Sequence, residues 1–114
     1  MKSVRTSRVG EEIRSHVAKF LITEAQIPGA ELVTVTTVKM TADLSIARIY
    51  YTVIGDGAQR KATKQILREL VPTMRTQVAK GLNLRRTPQL QFLYDELGAQ
   101  ADRLESLFSE IQKK

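Results

Sequence analysis

Between Ile46 and Ile54 the side chains alternate: Ala47, Ile49, Tyr51 and Val53 fall on one face of an extended segment, and Arg48, Tyr50 and Thr52 on the other. A strand patterned this way has one apolar face that must be covered and one that can meet water. The chain is therefore committed to a sheet with a layer packed against it. Two further segments supply strand partners. Leu32 to Val38 is rich in Val and Thr, a composition suited to a pleated surface, and the Lys39 to Ser45 connection lets it pair antiparallel with the first segment. After Pro88, Leu90, Phe92 and Tyr94 alternate with Gln89, Gln91 and Leu93, which predicts a third strand stopped by Asp95-Glu96.

The covering layer is helical. Val9, Ile13, Val17, Phe20 and Leu21 recur at helical spacing between about Ser7 and Ala25, with Glu11 and Glu12 placed toward the positive end of the helix dipole. Ile27-Pro28-Gly29 then punctuates the chain. Gly55-Asp56-Gly57 reads as a turn into a long helical stretch whose apolar side is Ile66, Leu67, Leu70, Val71 and Met74. Pro72 lies inside it. An interior proline removes a helical donor and clashes with the preceding turn, so the stretch is expected to split near Val71 into two short helices, the second with Met74, Val78 and Leu82 inward. Leu97, Ala101, Leu104, Leu107, Phe108 and Ile111 outline a C-terminal amphipathic helix. The expected order is α-β-β-α-α-β-α, an α+β fold. With 114 residues, 42% of them hydrophobic, the chain suits one domain over residues 1–114, with 1–6 and 112–114 flexible.

Charge narrows the partners. The chain carries 18 Lys and Arg against 12 Asp and Glu, a net of +6, which favours polyanions and nucleic acid first among them. It has no cysteine, so disulfides, thiolate metal sites and a cysteine nucleophile are excluded. Every hydrophobic run falls short of the ~18 residues that span a bilayer. The basic N-terminus lacks the apolar core of a signal peptide, and Glu11 and Glu12 argue against a transit peptide. A soluble cytoplasmic protein without a membrane partner is the expectation.

The cations are concentrated. From Arg60 to Arg86 there are eight (Arg60, Lys61, Lys64, Arg68, Arg75, Lys80, Arg85 and Arg86) against the single carboxylate Glu69, whereas from Thr87 onward carboxylates outnumber cations. At about 3.6 residues per turn, Arg60, Lys64, Arg68 and Arg75 share roughly one quadrant of a helix, a ridge able to neutralise several phosphates. A solvated helix face would carry the same pattern; the scarcity of intervening acids favours function. Arg85-Arg86 could complement a helix C-terminus, or clamp phosphate through bidentate guanidinium contacts. Lys2, Arg5 and Arg8 form a second cluster, read either as an RNA-reaching arm or as a solubilising terminus. Of the aromatics only Tyr50 falls on the outer face, so recognition by backbone and shape is expected rather than base stacking.

Catalytic constellations are missing. His16, the only histidine, lies among Val9, Ile13 and Phe20 and suits a packing role. Asp95, Glu96 and Asp102 look like a turn and helix start rather than metal ligands, and neither Gly55-Asp56-Gly57 nor Ala79-Lys80-Gly81 has the length of a phosphate-binding loop. No enzyme activity, cofactor, metal or small-molecule substrate is expected.

Two stretches resemble one family. Val38-Lys39-Met40-Thr41-Ala42-Asp43-Leu44-Ser45-Ile46-Ala47-Arg48-Ile49-Tyr50 is similar to the first hairpin of ribosome-binding factor A, and Leu82-Asn83-Leu84-Arg85-Arg86-Thr87-Pro88-Gln89-Leu90-Gln91-Phe92 to that family's approach to its last strand. With Arg8-Val9 and Arg75 the resemblance runs from about Val4 to Ile111. It implies a KH-like fold of type II, a three-stranded sheet covered by helices, with the third strand parallel to the first and a kink between the second and third helices. It also implies binding to the small (30S) ribosomal subunit and its 16S rRNA, non-catalytic promotion of late maturation and 5′-end processing, and importance in the cold. The family's Ala-x-Gly kink is matched here by Leu70-Val71-Pro72, and its Asp-Pro-Arg by Ile27-Pro28-Gly29. Two other readings stand beside it: a generic KH-like module that binds RNA or DNA, and a basic adaptor that docks an acidic protein. Nothing such as a heptad seam calls for a dimer, so a monomer is expected.

Overall fold

The computed structural model describes residues 4–23 and 33–97. Along the chain come α1 (Val4–Thr23), β1 (Val33–Met40), β2 (Ile46–Val53), α2 (Gly57–Gly81) and β3 (Gln89–Tyr94). The three strands form one sheet in the order β1-β2-β3, with β1 antiparallel to β2 and β3 parallel to β2. Parallel neighbours need a crossover, and α2 provides it.

The alternating strand sits where its pattern demands, at the centre. Ala47, Ile49, Tyr51 and Val53 are all buried, and they meet Leu90, Phe92 and Tyr94 across the β2–β3 register. Both helices cover this one face. Val9, Ile13, Val17, Phe20 and Leu21 of α1 join Leu67, Met74 and Val78 of α2 in a single core cluster with the sheet residues. α1 lies close enough to β1 that a Cβ on Gly10 would stand 2.9 Å from the Val38 carbonyl oxygen. A glycine in mid-helix costs about 1 kcal/mol against alanine, and here it lets helix and strand backbones approach.

Strand β1 contains an irregularity. Its register with β2 slips between Val35 and Thr37, so Thr36 is an extra residue. The bulge brings Val33 and Val35 before it, and Val38 and Met40 after it, against the same core. The Thr36 hydroxyl donates to Asp95 Oδ2 at 2.6 Å, spanning β2 to reach the end of β3.

α2 starts on a reciprocal cap: Asp56 Oδ1 accepts from the Gln59 backbone N–H at 2.9 Å, and Gln59 Oε1 accepts from the Asp56 N–H at 3.0 Å. Such a cap is worth about 1 kcal/mol. Gly55, at φ +147°, makes the preceding turn, in a backbone conformation that L side chains rarely adopt.

Three expectations are corrected. α2 is one continuous helix through Pro72, not two short helices at an angle. The apolar stripe of Leu67, Leu70, Val71, Met74 and Val78 stays in phase across the proline and fixes both halves to the same core. Pro72 itself is exposed, so the helical bond it cannot make is lost on the solvent side. The third strand is parallel to the second and therefore antiparallel to the first, because the crossover returns β3 to the free edge of β2. Finally, α1 starts at Val4, three residues before the Ser7 that the apolar spacing suggested. The expected helix from Leu97 to Ile111 lies, apart from Leu97, outside the described residues, as do Ile27-Pro28-Gly29, Lys2 and positions 112–114.

Candidate nucleic-acid interface

The ridge of cations along α2 is only partly free. Lys61, Lys64, Arg68 and Lys80 are exposed. Arg60 is half-buried, with its guanidinium carbon 3.5 Å above the centre of the Tyr94 ring and one nitrogen 2.8 Å from Glu96 Oε1. Cation–π stacking and an ion pair hold it against the end of β3. Arg75 is engaged as well. Its Nε donates to the Pro88 carbonyl at 3.0 Å and its Nη2 to the Thr87 carbonyl at 2.9 Å.

That fork turns Arg75 from a surface cation into a buckle between α2 and the approach to β3, the segment that carries Arg85 and Arg86. Replacing Arg75 by alanine is expected to lower stability by about 1–2 kcal/mol, since two hydrogen bonds from a charged donor are lost near the surface. Lysine, which offers a point charge in place of a planar fork, should recover less than half of that. Urea unfolding of the two variants reads both effects, and faster amide exchange over residues 84–87 in Arg75→Ala locates the loss. An unchanged midpoint in Arg75→Ala would remove the buckle from the account.

Arg85 and Arg86 are exposed. They lie beyond the helix end, since Leu82 is the cap and its N–H donates to the Val78 carbonyl at 2.9 Å; the cation in the last turn is Lys80. The capping role considered for the pair therefore falls to Lys80. What the fold gives the pair instead is company. A cleft of about 590 Å³ is lined by Arg85 and Arg86, by Arg5 and Thr6 from the start of α1, and by Asp43 and Ser45 from the β1–β2 hairpin. Arg8 is exposed one helical turn further along α1. The cations expected on one face thus fall into separate groups, because Arg60, Lys61 and Lys64 line a different cleft of about 370 Å³ beside Tyr94 and Leu93.

The hairpin tip is a built turn. Asp43 Oδ1 accepts from the Ser45 hydroxyl at 2.7 Å, the Thr41 hydroxyl at 2.8 Å and the Ser45 backbone N–H at 3.1 Å. These bonds, the Ser45 hydroxyl foremost, hold the Asp43 carboxyl well below its ordinary value, at about 2. The turn stays tied down by this carboxylate at neutral pH and loses that tie as pH falls from about 4 through about 2. Leu44, at φ 61°, is the one non-glycine residue in the left-handed region among those described. A Thr-x-Asp-x-Ser spacing is a legible signal for such a turn, and sequence reasoning passed over it as a plain connection.

Other anticipated features are also located. Leu70 and Val71 are half-buried against the core and Pro72 is exposed on an unbroken helix, so the three do not form the kink loop that the family pattern suggested. Tyr50 is half-buried, with the Lys39 ammonium 5.6 Å from its ring centre. Tyr94 is covered by Arg60. The aromatic rings are thus occupied by neighbours. His16 packs at the α1–α2 contact, where a Cβ on Gly81 would overlap its ring. Among the described residues no three His, Cys, Asp or Glu side chains gather as a metal would need, and no helix is long and apolar enough to cross a membrane.

Comparison with known proteins bears on this arrangement. The family model for "Ribosome-binding factor A" matches residues 5–108. Proteins of that name from Macrococcus caseolyticus and Gemmatimonas aurantiaca are 32% and 39% identical to the chain. The matches cover 97% and 95% of this chain and 97% and 75% of theirs. Among solved structures, that of a Thermotoga maritima putative ribosome binding factor A superposes with a TM-score of 0.73 at 26% identity, covering 84% of this chain and 92% of that one. A Thermus thermophilus ribosome binding factor A, fitted as a homology model into the cryo-EM map of a 30S complex, superposes with a TM-score of 0.63 at 18% identity, covering 77% and 92%. At that identity the likeness is one of fold.

Proposed function

The chain belongs to the ribosome-binding factor A family, and from that premise we propose that it binds the small (30S) ribosomal subunit through 16S rRNA and promotes late maturation and 5′-end processing of that RNA. The observation that carries this reading is the convergence of Arg5, Arg85 and Arg86, from opposite ends of the chain, on one cleft. Three guanidinium groups at one place offer bidentate donors to successive phosphates, a sequence-tolerant grip suited to a folded RNA backbone. The exposed Arg8, one helical turn from Arg5, extends the positive surface beside it, and Lys61 and Lys64 form a second basic group at another cleft. The protein acts as a monomer in the cytoplasm by differential binding, stabilising one rRNA conformation over others, and makes or breaks no covalent bond. Growth in the cold, where misfolded RNA is slow to rearrange, is where its loss is expected to tell most.

Co-sedimentation with purified small subunits, immature and mature, across a salt series tests the reading. Binding that prefers immature particles and falls steeply with salt is the expected result. A folded protein that associates with neither particle at low salt would overturn it, and equal binding to any RNA or DNA would reduce it to a generic nucleic-acid module.

A further inference from the structure

A cleft built only to hold phosphate has no use for a carboxylate, yet Asp43 lines the one that contains Arg5, Arg85 and Arg86. It is not there to anchor those arginines, because among the described residues none of the three makes an ion pair with it. The geometry of its bonds is one-sided. All three hydrogen bonds from Thr41 and Ser45 end on Oδ1, and Oδ2 takes part in none of them. The turn thus fixes the carboxyl group by one oxygen, in the hairpin that borders the cleft, and leaves Oδ2 outside the turn's own bonds.

We propose that this cleft reads a guanine: the arginines hold the flanking phosphates, and Asp43 Oδ2 accepts a hydrogen bond from the N–H donors of the base's Watson–Crick edge. The inference rests on the RNA-binding reading above. Guanine is singled out because its edge sets two N–H donors, N1–H and N2–H, side by side. Adenine places a bare acceptor, N1, at the matching position and would meet the carboxylate with repulsion. Since the target base must leave its stack to offer that edge, the RNA element is single-stranded or bulged where it enters the cleft.

Asp43→Asn separates this role from the turn. Asparagine keeps an acceptor oxygen for Thr41 and Ser45 while exchanging Oδ2 for an N–H donor, so the hairpin stays tied and the presented group changes sign. The probes are nine-nucleotide oligouridines with one central guanosine or adenosine, in ribose and deoxyribose form, bound to the full chain and read by fluorescence anisotropy. The native protein is expected to prefer guanosine over adenosine by about tenfold, as a well-placed base-edge contact does. In Asp43→Asn the preference should shrink to within about twofold or invert, with the salt dependence retained. Arg85→Ala/Arg86→Ala should weaken both oligonucleotides alike. A native protein without the guanosine preference, or an Asn variant that keeps it, overturns the proposal. A preference that follows the sugar and not the base overturns it too, by assigning Oδ2 to the ribose 2′-hydroxyl. Co-sedimentation with small subunits run in parallel separates the two readings: intact particle binding with no base preference sinks the guanine pocket alone, and loss of both sinks the RNA-binding function beneath it.

Discussion

Replacing Arg85 and Arg86 together by alanine is expected to weaken binding to small ribosomal subunits by about a hundredfold at ~50 mM monovalent salt and about tenfold at ~200 mM. Two phosphate contacts are lost, and each releases most of one counterion, so the slope of log affinity against log salt should become shallower by about 1.4 to 1.8. The fold should be indifferent, because both side chains are exposed and sit past the end of α2. Co-sedimentation over a salt series, with a thermal melt of the same variant, measures both. A parallel displacement of the binding line with no change in slope would mean that the two arginines do not meet phosphate.

Truncating Ile49 to alanine is expected to cost about 3–4 kcal/mol of folding free energy, the range for deleting a large buried side chain that its surroundings cannot fill. Ile49 is fully buried, at 0% exposure, in the middle strand, opposite Val38 on one side and Phe92 on the other. Neither helix can settle into the space without giving up its own contacts. For a domain of this size the midpoint of thermal unfolding should fall by about 15 °C. Against a total stability of roughly 5–15 kcal/mol this leaves a protein close to unfolding at growth temperature, whereas Ile49→Val should lose only about 1 kcal/mol. A urea series on the three proteins decides; a midpoint for Ile49→Ala within error of Ile49→Val would place the core elsewhere.

The parts of this fold legible in the sequence are those written in local period. Ala47, Ile49, Tyr51 and Val53 announce their face by strict alternation, and Val9, Ile13, Val17 and Phe20 announce theirs by helical spacing; all eight are buried. β1 was legible only in kind. Val35 and Val38 break the two-residue period, and without the register there is no way to see that the extra Thr36 restores the apolar face. Pro72 shows a local rule overridden, because packing on both sides of it outweighs one missing hydrogen bond. The site was less legible than the fold. Counting cations found Arg60, Arg75, Arg85 and Arg86 together. It could not foresee that the first stacks on Tyr94, that the second finds carbonyl partners twelve and thirteen residues away, or that the last two share a cleft with Arg5. Such facts belong to the folded chain, in which distant segments become neighbours.

The bond from Thr36 to Asp95 has a mechanical consequence. β1 and β3 are the two outer strands and do not pair with each other, so a sheet of three strands could twist about its middle one like a book about its spine. A strap of 2.6 Å thrown over β2 joins the two covers. It ties the middle of β1 to the far end of β3, away from the hairpin, so that a pull on one outer strand passes to the other through a side chain as well as through β2.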